Sequence, residues 1–186
     1  MSAKRILVPL AEGFEEIEAV CIIDVLRRAE LEVVVAGLTS ESVRGSHGIL
    51  IGADALLEGL DIEGFDMIVL PGGMPGTTHL MEDERVLAAV RSLHAAGRST
   101  AAICAAPMVL ATAGVVSGVP VTSHPSVRAR LGDADVREEP RVIQSGRTTT
   151  SQGAGTALEF ALELVAELCG RAKADELAAA MIVARD

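Results

Sequence analysis

Aromatic side chains are almost absent from this chain of 186 residues, which contains three Phe and neither Trp nor Tyr. Apolar residues still make up 49% of the chain, and most of them are Ala, Val, Leu or Ile. This composition suits sheets and helices that pack through small and branched side chains. The length is enough to bury a sizeable core, so we expect a single domain over residues 1–186.

Positive charge is also scarce, because 16 Lys and Arg oppose 26 Asp and Glu for a formal net charge of −10. Non-specific nucleic-acid binding needs a basic surface, and anionic membranes attract basic segments, so we expect neither partner. The apolar run 6–11 is too short for a signal peptide. No run approaches the roughly 18 apolar residues of a membrane span.

Cysteine occurs three times, as Cys21, Cys104 and Cys169, and no Cys or His pair has the spacing of a zinc site. A Walker lysine and a Gly-x-Gly-x-x-Gly motif after the first strand are missing too, which argues against nucleotide binding. We therefore expect neither a metal nor a cofactor. Free, widely spaced thiols predict a reducing, cytoplasmic location.

Short apolar runs alternate with helical periodicity along the chain. Unbroken apolar runs are typical of parallel strands with both faces covered, so the alternation predicts an α/β fold with a mostly parallel sheet and helices on both faces. The predicted strands are 6–10, 33–36, 67–70 and 100–104, and the predicted helices are 15–29, 84–96 and 106–113, with Gly97 and Gly114 at C-caps.

The remaining segments carry weaker signals. Residues 120–151 predict short strands with a hairpin at Ser145-Gly146, and the glycine-punctuated stretch 44–53 predicts a β-ribbon beside the sheet. Capping-box spacing from Thr156 to Glu159 predicts a helix start. A last helix is expected over 173–183.

Cys104 ends an apolar run directly before a predicted helix. Strained strand-to-helix turns expose catalytic nucleophiles, and the N-terminus of a helix favours a thiolate. A buried, unreactive thiol is the alternative, because free cysteine often packs as a small apolar residue. Cys21 and Cys169 lie on apolar faces of predicted helices, so we expect both to be structural.

Glu18 heads an inward-facing row of apolar residues at helical spacing, namely Ile22, Val25, Leu26 and Ala29. A carboxyl group so placed should be desolvated, have a raised pKa and exchange protons near neutral pH. It could equally tune the thiol through a hydrogen bond. For Glu15 and Glu16, the favourable helix dipole is explanation enough.

His124 follows a predicted short strand and precedes a proline that disfavours helix. It is a candidate catalytic residue, although lone histidines are more often surface or structural residues. His79 and His94 are expected to be solvated helix residues, and the sequence assigns no role to His47.

Gly72 and Gly73 form a turn after the strand at 67–70. Their backbone amides can approach a ligand closely and, with the amide of Ala105, stabilise an oxyanion; an ordinary tight turn is the alternative. Ligands of open α/β sheets bind at the carboxyl ends of the strands. We therefore expect this turn, the loop 11–14 and Cys104 to border one cleft.

Several collinear segments together resemble the ThiJ/PfpI superfamily, specifically its Parkinsonism-associated deglycase and glyoxalase III-like branch. The resemblance covers essentially the whole chain and rests on seven blocks in order: 4–8, 13–18, 24–29, 35–38, 69–73, 101–107 and 150–160. It implies a flavodoxin-like three-layer sandwich and a homodimer. It also implies a nucleophile-elbow cysteine at Cys104 with Glu18 hydrogen-bonded to it, His124 completing the site, and oxyanion donors at the amides of Gly73 and Ala105.

The implied activities are cofactor-free conversion of a small 2-oxoaldehyde, methylglyoxal or glyoxal, to lactate or glycolate, and deglycation of early adducts. Oxidative-stress sensing through Cys104 and a chaperone-like role are the alternatives, and a cysteine peptidase or amidase is a weaker one. The peptidase branch has His directly after the cysteine, whereas this chain has Ala105. Some relatives carry an Arg near the dimer-side cleft where this chain reads Gly45-Ser-His-Gly48, which puts anion binding there in doubt.

Overall fold

A seven-stranded sheet forms the centre of the computed structural model, which describes residues 4–184. The strands in chain order are β1 Arg5–Leu10, β2 Glu32–Gly37, β3 Ser42–Arg44, β4 Leu50–Gly52, β5 Ala55–Leu56, β6 Met67–Leu70, β7 Ser99–Ile103, β8 Pro120–Val121, β9 Asp135–Val136, β10 Val142–Ser145 and β11 Thr148–Ser151. The order in the main sheet is β10-β11-β7-β6-β1-β2-β5. Only β10 pairs antiparallel within it, against β11.

Within the described residues, six α-helices cover the two faces of this sheet. They are α1 Glu16–Arg28, α2 Gly76–Glu82, α3 Glu84–Ala95, α4 Pro107–Ala113, α5 Ala157–Cys169 and α6 Arg171–Ala180. Successive strand residues point to opposite faces, so Ile6, Val8 and Leu10 pack with α1, α5 and α6, while Leu7 packs with α2, α3 and α4. The predicted three-layer α/β sandwich is confirmed.

The element boundaries predicted from the strongest sequence patterns agree closely with the structure. The four predicted strands and three predicted helices all match within one residue at each end. The hairpin at Ser145-Gly146 forms between β10 and β11, and the expected ribbon forms between β3 and β4. No helix within residues 4–184 is both long and apolar enough to cross a membrane.

Other predictions need correction. Helix α2 was not predicted, because its seven residues are too few to show a clear period. The last helix, α6, begins and ends earlier than the predicted range 173–183. It ends early because Ile182 has a φ of 57° and the amide of Val183 donates to the carbonyl of Ala178, which closes the helix. Helix α5 begins next to Thr156 as expected, but the Thr156 hydroxyl bonds Ser151 and Gly153 instead of forming the predicted capping box.

The central part of the sheet positions the candidate site. Strands β1, β6 and β7 are adjacent and parallel, so their carboxyl ends lie at one edge. The loop after β1 and the turn after β6 meet there, because the amide of Glu15 donates to the carbonyl of Gly72 at 2.9 Å and the amide of Gly76 donates to that of Gly13 at 3.1 Å. The sheet thus joins residues that are far apart in the chain.

The packing of α5 on the sheet leads to a stability prediction. Phe160 is fully buried, so Phe160→Ala should lower the free energy of unfolding by about 3–5 kcal/mol through lost burial and a residual cavity. Ile182 is 92% exposed, and Ile182→Ala should change it by less than about 0.5 kcal/mol. Urea unfolding of both variants measures the difference, and equal losses would contradict the assigned core.

Candidate active site

Cys104 sits in a strained turn immediately after β7. Its φ is 63°, a left-handed conformation that costs a non-glycine residue on the order of 1–2 kcal/mol. Two backbone hydrogen bonds hold it there: the Cys104 amide donates to the carbonyl of Ser151 at 3.0 Å, and the amide of His124 donates to the Cys104 carbonyl at 2.8 Å. The turn holds the half-buried thiol at the sheet edge.

Glu18 projects its carboxyl group into this turn from the first turn of α1. The residue is fully buried, and its Oε2 accepts a hydrogen bond from the amide of Gly72 at 2.8 Å. Its Oε1 has no conventional partner within residues 4–184, which leaves the thiol of Cys104 as the other polar neighbour of the carboxyl. Burial outweighs these contacts and raises the pKa of Glu18 to about 7. The desolvated carboxyl expected from the helical spacing is therefore present.

The electrostatics of Cys104 differ from the sequence-based expectation of a stabilised thiolate. Burial, followed by the charge and hydrogen bond of Glu18, raises the pKa of Cys104 to about 12, although the amides of Gly73 and Ala105 act in the opposite direction. Helix α4 gives little help, since it has seven residues and begins only at Pro107. The two groups titrate as a unit. Between the two values the pair holds a single proton, which lies on the thiol with the ionised Glu18 beside it.

Two glycines make this close approach possible. A Cβ atom on Gly72 would lie 2.7 Å from the Cβ of Cys104 and 2.8 Å from Oε2 of Glu18, so any larger residue would separate the pair. Gly73 has a φ of 92°, and a Cβ there would collide with the backbone of Phe14 and Glu15. The Gly72 amide is occupied by Glu18, so the amides available to an oxyanion are those of Gly73 and Ala105.

His124 reaches the site through its backbone. Its amide bonds the carbonyl of Cys104, but its side chain is exposed, and Nδ1 lies 2.7 Å from the Ser126 hydroxyl. Nδ1 also accepts from the Ser126 amide at 3.3 Å. Because Ser126 occupies Nδ1, Nε2 is the ring nitrogen left for a substrate.

Glu16 is a site neighbour that the sequence reasoning missed. The helix dipole accounts for an acidic residue in the first turn, yet Glu16 is also buried, and its carboxylate accepts hydrogen bonds from three residues of the β3–β4 loop. The donors are the His47 amide at 2.6 Å, His47 Nδ1 at 2.9 Å, the Ser46 hydroxyl at 3.3 Å and the Ile49 amide at 3.4 Å. No spacing in the chain indicates this contact, because 30 or more residues separate the partners.

Glu16 and His47, together with Glu15, form the one group within residues 4–184 whose side chains could ligate a metal ion. The ligand atoms of Glu15, Glu16 and His47 lie within 4.8 Å of one another. Hydrogen bonds from the loop already occupy both oxygens of Glu16, and a cation would have to replace the proton on His47 Nδ1. We therefore describe these residues as a hydrogen-bonded cluster.

The remaining cysteines and histidines lie outside the site. Cys21 is partly buried on α1, where burial raises the pKa of its thiol. Cys169 is exposed at the end of α5, so the expectation of a packed structural thiol is wrong there. His79 and His94 are exposed helix residues, as predicted.

Comparison with curated proteins identifies close relatives of the chain. Protein dj-1beta of Drosophila melanogaster is 42% identical over 184 residues, which cover 98% of both chains. The glutathione-independent glyoxalase DJR-1.2 of Caenorhabditis elegans is 36% identical over 181 residues, covering 97% of this chain and 96% of the relative.

Solved structures agree with the sequence relatives. The crystal structure of Drosophila melanogaster DJ-1beta matches with a TM-score of 0.95 at 42% identity, covering 99% of this chain and all of the other. Oxidised Toxoplasma gondii DJ-1 matches with a TM-score of 0.94 at 41% identity, covering 98% and 100%. The DJ-1/PfpI family model matches residues 4–167. With this family match, these relatives and the flavodoxin-like architecture of the sheet, the chain belongs to the DJ-1/PfpI family.

Proposed function

We propose that this protein is a cofactor-independent glyoxalase that converts methylglyoxal or glyoxal to lactate or glycolate through Cys104. The observation that carries the proposal is the contact between a strained cysteine and a fully buried carboxyl group whose pKa is raised to about 7. Such a pair can deliver a nucleophile and move a proton at neutral pH. The Caenorhabditis elegans relative named as a glutathione-independent glyoxalase supports the same chemistry.

The first step joins the sulfur to the aldehyde carbon of the substrate. Glu18 accepts the thiol proton as the S–C bond forms, and the carbonyl electron pair moves onto the aldehyde oxygen. The amides of Gly73 and Ala105, which lie beside the sulfur, donate hydrogen bonds to that developing oxyanion. Glu18 then protonates the oxygen, and the product is a hemithioacetal.

The second step moves hydrogen between the two carbons of the substrate. A base removes the proton from the former aldehyde carbon, giving an enediolate, and the proton returns to the neighbouring carbon, giving a thioester. Water then adds to the thioester, the C–S bond breaks, and the thiol regains its proton. We assign this proton transfer to Glu18 because it contacts Cys104, and His124 Nε2 is a second candidate. Deglycation of early aldehyde adducts would use the same attack on a masked aldehyde.

Lactate production from methylglyoxal, without glutathione and with a metal chelator present, tests this proposal. Cys104→Ser should fall to the background rate because the nucleophile is lost. Glu18→Gln should lose about 10²–10⁴-fold, the usual contribution of a general acid or base. His124→Ala should lose less, since the described hydrogen bonds of its ring run to Ser126.

His94→Ala is the matched control, because His94 is exposed on α3 and should leave the rate unchanged. Equal rates for the wild type and Cys104→Ser would overturn the glyoxalase proposal. A larger loss for His124→Ala than for Glu18→Gln would transfer the proton-moving role to His124.

An oxidative-stress sensor is a second candidate function, and the same contact favours it. Glu18, when protonated, could donate a hydrogen bond to a sulfinate on Cys104, and the amides of Gly73 and Ala105 could donate others. The oxidised state of the Toxoplasma gondii relative is in line with this reading. The two functions are compatible because one sulfur serves both.

Mild peroxide followed by site-resolved mass spectrometry tests the sensor. We expect two oxygen atoms to add selectively to Cys104, because neighbouring donors stabilise the sulfinate. Cys169 is an internal control, since it is an exposed thiol at the end of α5. Equal oxidation of Cys104 and Cys169 would argue against sensing.

We also propose that the protein is a homodimer. Four large apolar side chains are exposed on α1 and where the β3–β4 loop enters β4, namely Ile17 at 57%, Val20 at 49%, Ile49 at 57% and Leu50 at 54%. The hydrogen bond from the Ile49 amide to Glu16 holds residues 49–50 against the first turn of α1, which brings the two exposed pairs close together. Exposed apolar clusters of this kind mark protein interfaces.

Light scattering tests the dimer. We expect a mass of twice 19.3 kDa for the wild type. Val20→Glu should shift the mass toward that of one chain, because it places a charge in the apolar cluster. Ile182→Glu, at an exposed position near the end of the chain, should not. A wild-type mass of 19.3 kDa at micromolar concentration would contradict the proposal.

A further inference from the structure

Glu16 contacts His47 at the start of α1, two residues before Glu18 of the candidate site. Glu16 and Glu18 are the two carboxyl side chains buried within residues 4–184, and they lie two positions apart at the start of α1. The pKa values of the two carboxyl groups are shifted in opposite directions. Burial raises the pKa of Glu16, but hydrogen bonds led by the His47 side chain outweigh burial and lower it to about 2. Glu16 is therefore a permanent anion held by the β3–β4 loop.

Two further hydrogen bonds join β3 and the β3–β4 loop to the segment before α1. The amide of Gly13 donates to the carbonyl of Arg44 at 2.8 Å, and the amide of Ser46 donates to that of Phe14 at 2.8 Å. Gly45 packs so closely on Glu16 that a Cβ atom there would overlap the carboxyl group. The loop and the start of α1 thus form one hydrogen-bonded unit.

This unit continues into the reactive pair. The amide of Glu15 donates to the carbonyl of Gly72 at 2.9 Å, and the amide of Gly72 donates to Oε2 of Glu18 at 2.8 Å. Gly72 in turn lies against Cys104 without room for a side chain. Any movement of the start of α1 would therefore change both the burial of Glu18 and its distance from the thiol.

We propose that Glu16 and His47 are positioning residues, which hold the first turn of α1 so that Glu18 stays desolvated against Gly72 and Cys104. The proposal concerns the Cys104–Glu18 pair of the proposed function and rests on that pair being the reactive one. It gives a role to a histidine for which the sequence indicates none. The role depends on the hydrogen bond from Nδ1 to Glu16 more than on the charge of the ring.

The charges around His47 set the sign of its pH dependence. The hydrogen bond to Glu16 and the charges of Glu15 and Glu16 raise the pKa of His47 above its ordinary value, while Arg44 in the ribbon donates to the carbonyl of Gly48. Protonated His47 thus strengthens the contact at low pH. This ionic contribution is lost as the pH rises through the raised pKa of His47, but a neutral ring with its proton on Nδ1 still donates to Glu16.

The pH dependence of Cys104 alkylation tests the proposal without any substrate. In the wild type the rate with iodoacetamide should rise with pH up to about 7 and then level off, because above that value the coupled pair holds one proton. Peptide mass spectrometry separates Cys104 from Cys21 and Cys169. The pH of this break reports the pKa of Glu18 in its site.

His47→Ala and His47→Asn form the decisive matched pair. Both remove the ring charge, but Asn keeps an N–H donor near the position of Nδ1. We expect the break to fall by about one pH unit or more in His47→Ala, because water then reaches Glu18, and to stay near the wild-type value in His47→Asn. Loss of a nearby positive charge alone would move the break upward, so the sign separates positioning from electrostatics.

Glu16→Gln should also lower the break, but the loss of a nearby negative charge acts in the same direction, so the His47 pair decides. Glu63→Gln, on an exposed carboxyl far from the loop in sequence, should leave the break unchanged. His47 is 69% exposed in the single chain, so its variants are expected to fold. Because it lies two residues from Ile49 of the proposed dimer face, urea unfolding and light scattering verify that fold and oligomeric state are unchanged. An unchanged or raised break in His47→Ala, or identical breaks in the Ala and Asn variants, would overturn the proposal. A wild-type enzyme without glyoxalase activity would refute only the reaction, since alkylation needs no turnover.

Discussion

The close approach of three chain segments at Gly72 is the constraint on which the candidate site depends. The amide of Gly72 binds Glu18, its carbonyl binds the amide of Glu15, and its missing side chain leaves space for Cys104. Each contact uses a different part of one small residue. The turn after β6 therefore sets the distance between the carboxyl and the thiol, and the neighbouring Gly73 presents its amide to the same sulfur.

The electrostatics of the site follow from this enclosure. A carboxyl group and a thiol that exclude water together cannot both be charged without large cost, so they hold one proton between them over a wide pH range. The nucleophile is then formed by proton transfer within the pair. This differs from the thiolate stabilised by a helix terminus that the sequence suggests, and the difference arises because burial depends on the packing of three segments.

Local patterns predicted the parts of the molecule that depend on local interactions. Apolar runs located β1, β2, β6 and β7, and the helical row below Glu18 correctly indicated a buried carboxyl. Glu16 shows the limit of such reasoning. Its position in the first turn has a sufficient local explanation, and its real environment comes from a loop 30 residues away. Thr156 is similar, because contacts with Ser151 and Gly153 replaced the local capping box.

The start of α1 carries a consequence for how this chain can vary. Glu18 lies in the first turn of α1, and each residue of an α-helix is rotated by roughly 100° about the helix axis from the one before it. One residue inserted or deleted between Gly13 and Glu18 would rotate the carboxyl away from Gly72 and turn a solvent-facing side chain, such as Ile17, toward the thiol. The length of this connection is therefore as much a part of the site as the identity of Glu18, and loops elsewhere on the sheet can change length with far less effect on the pair.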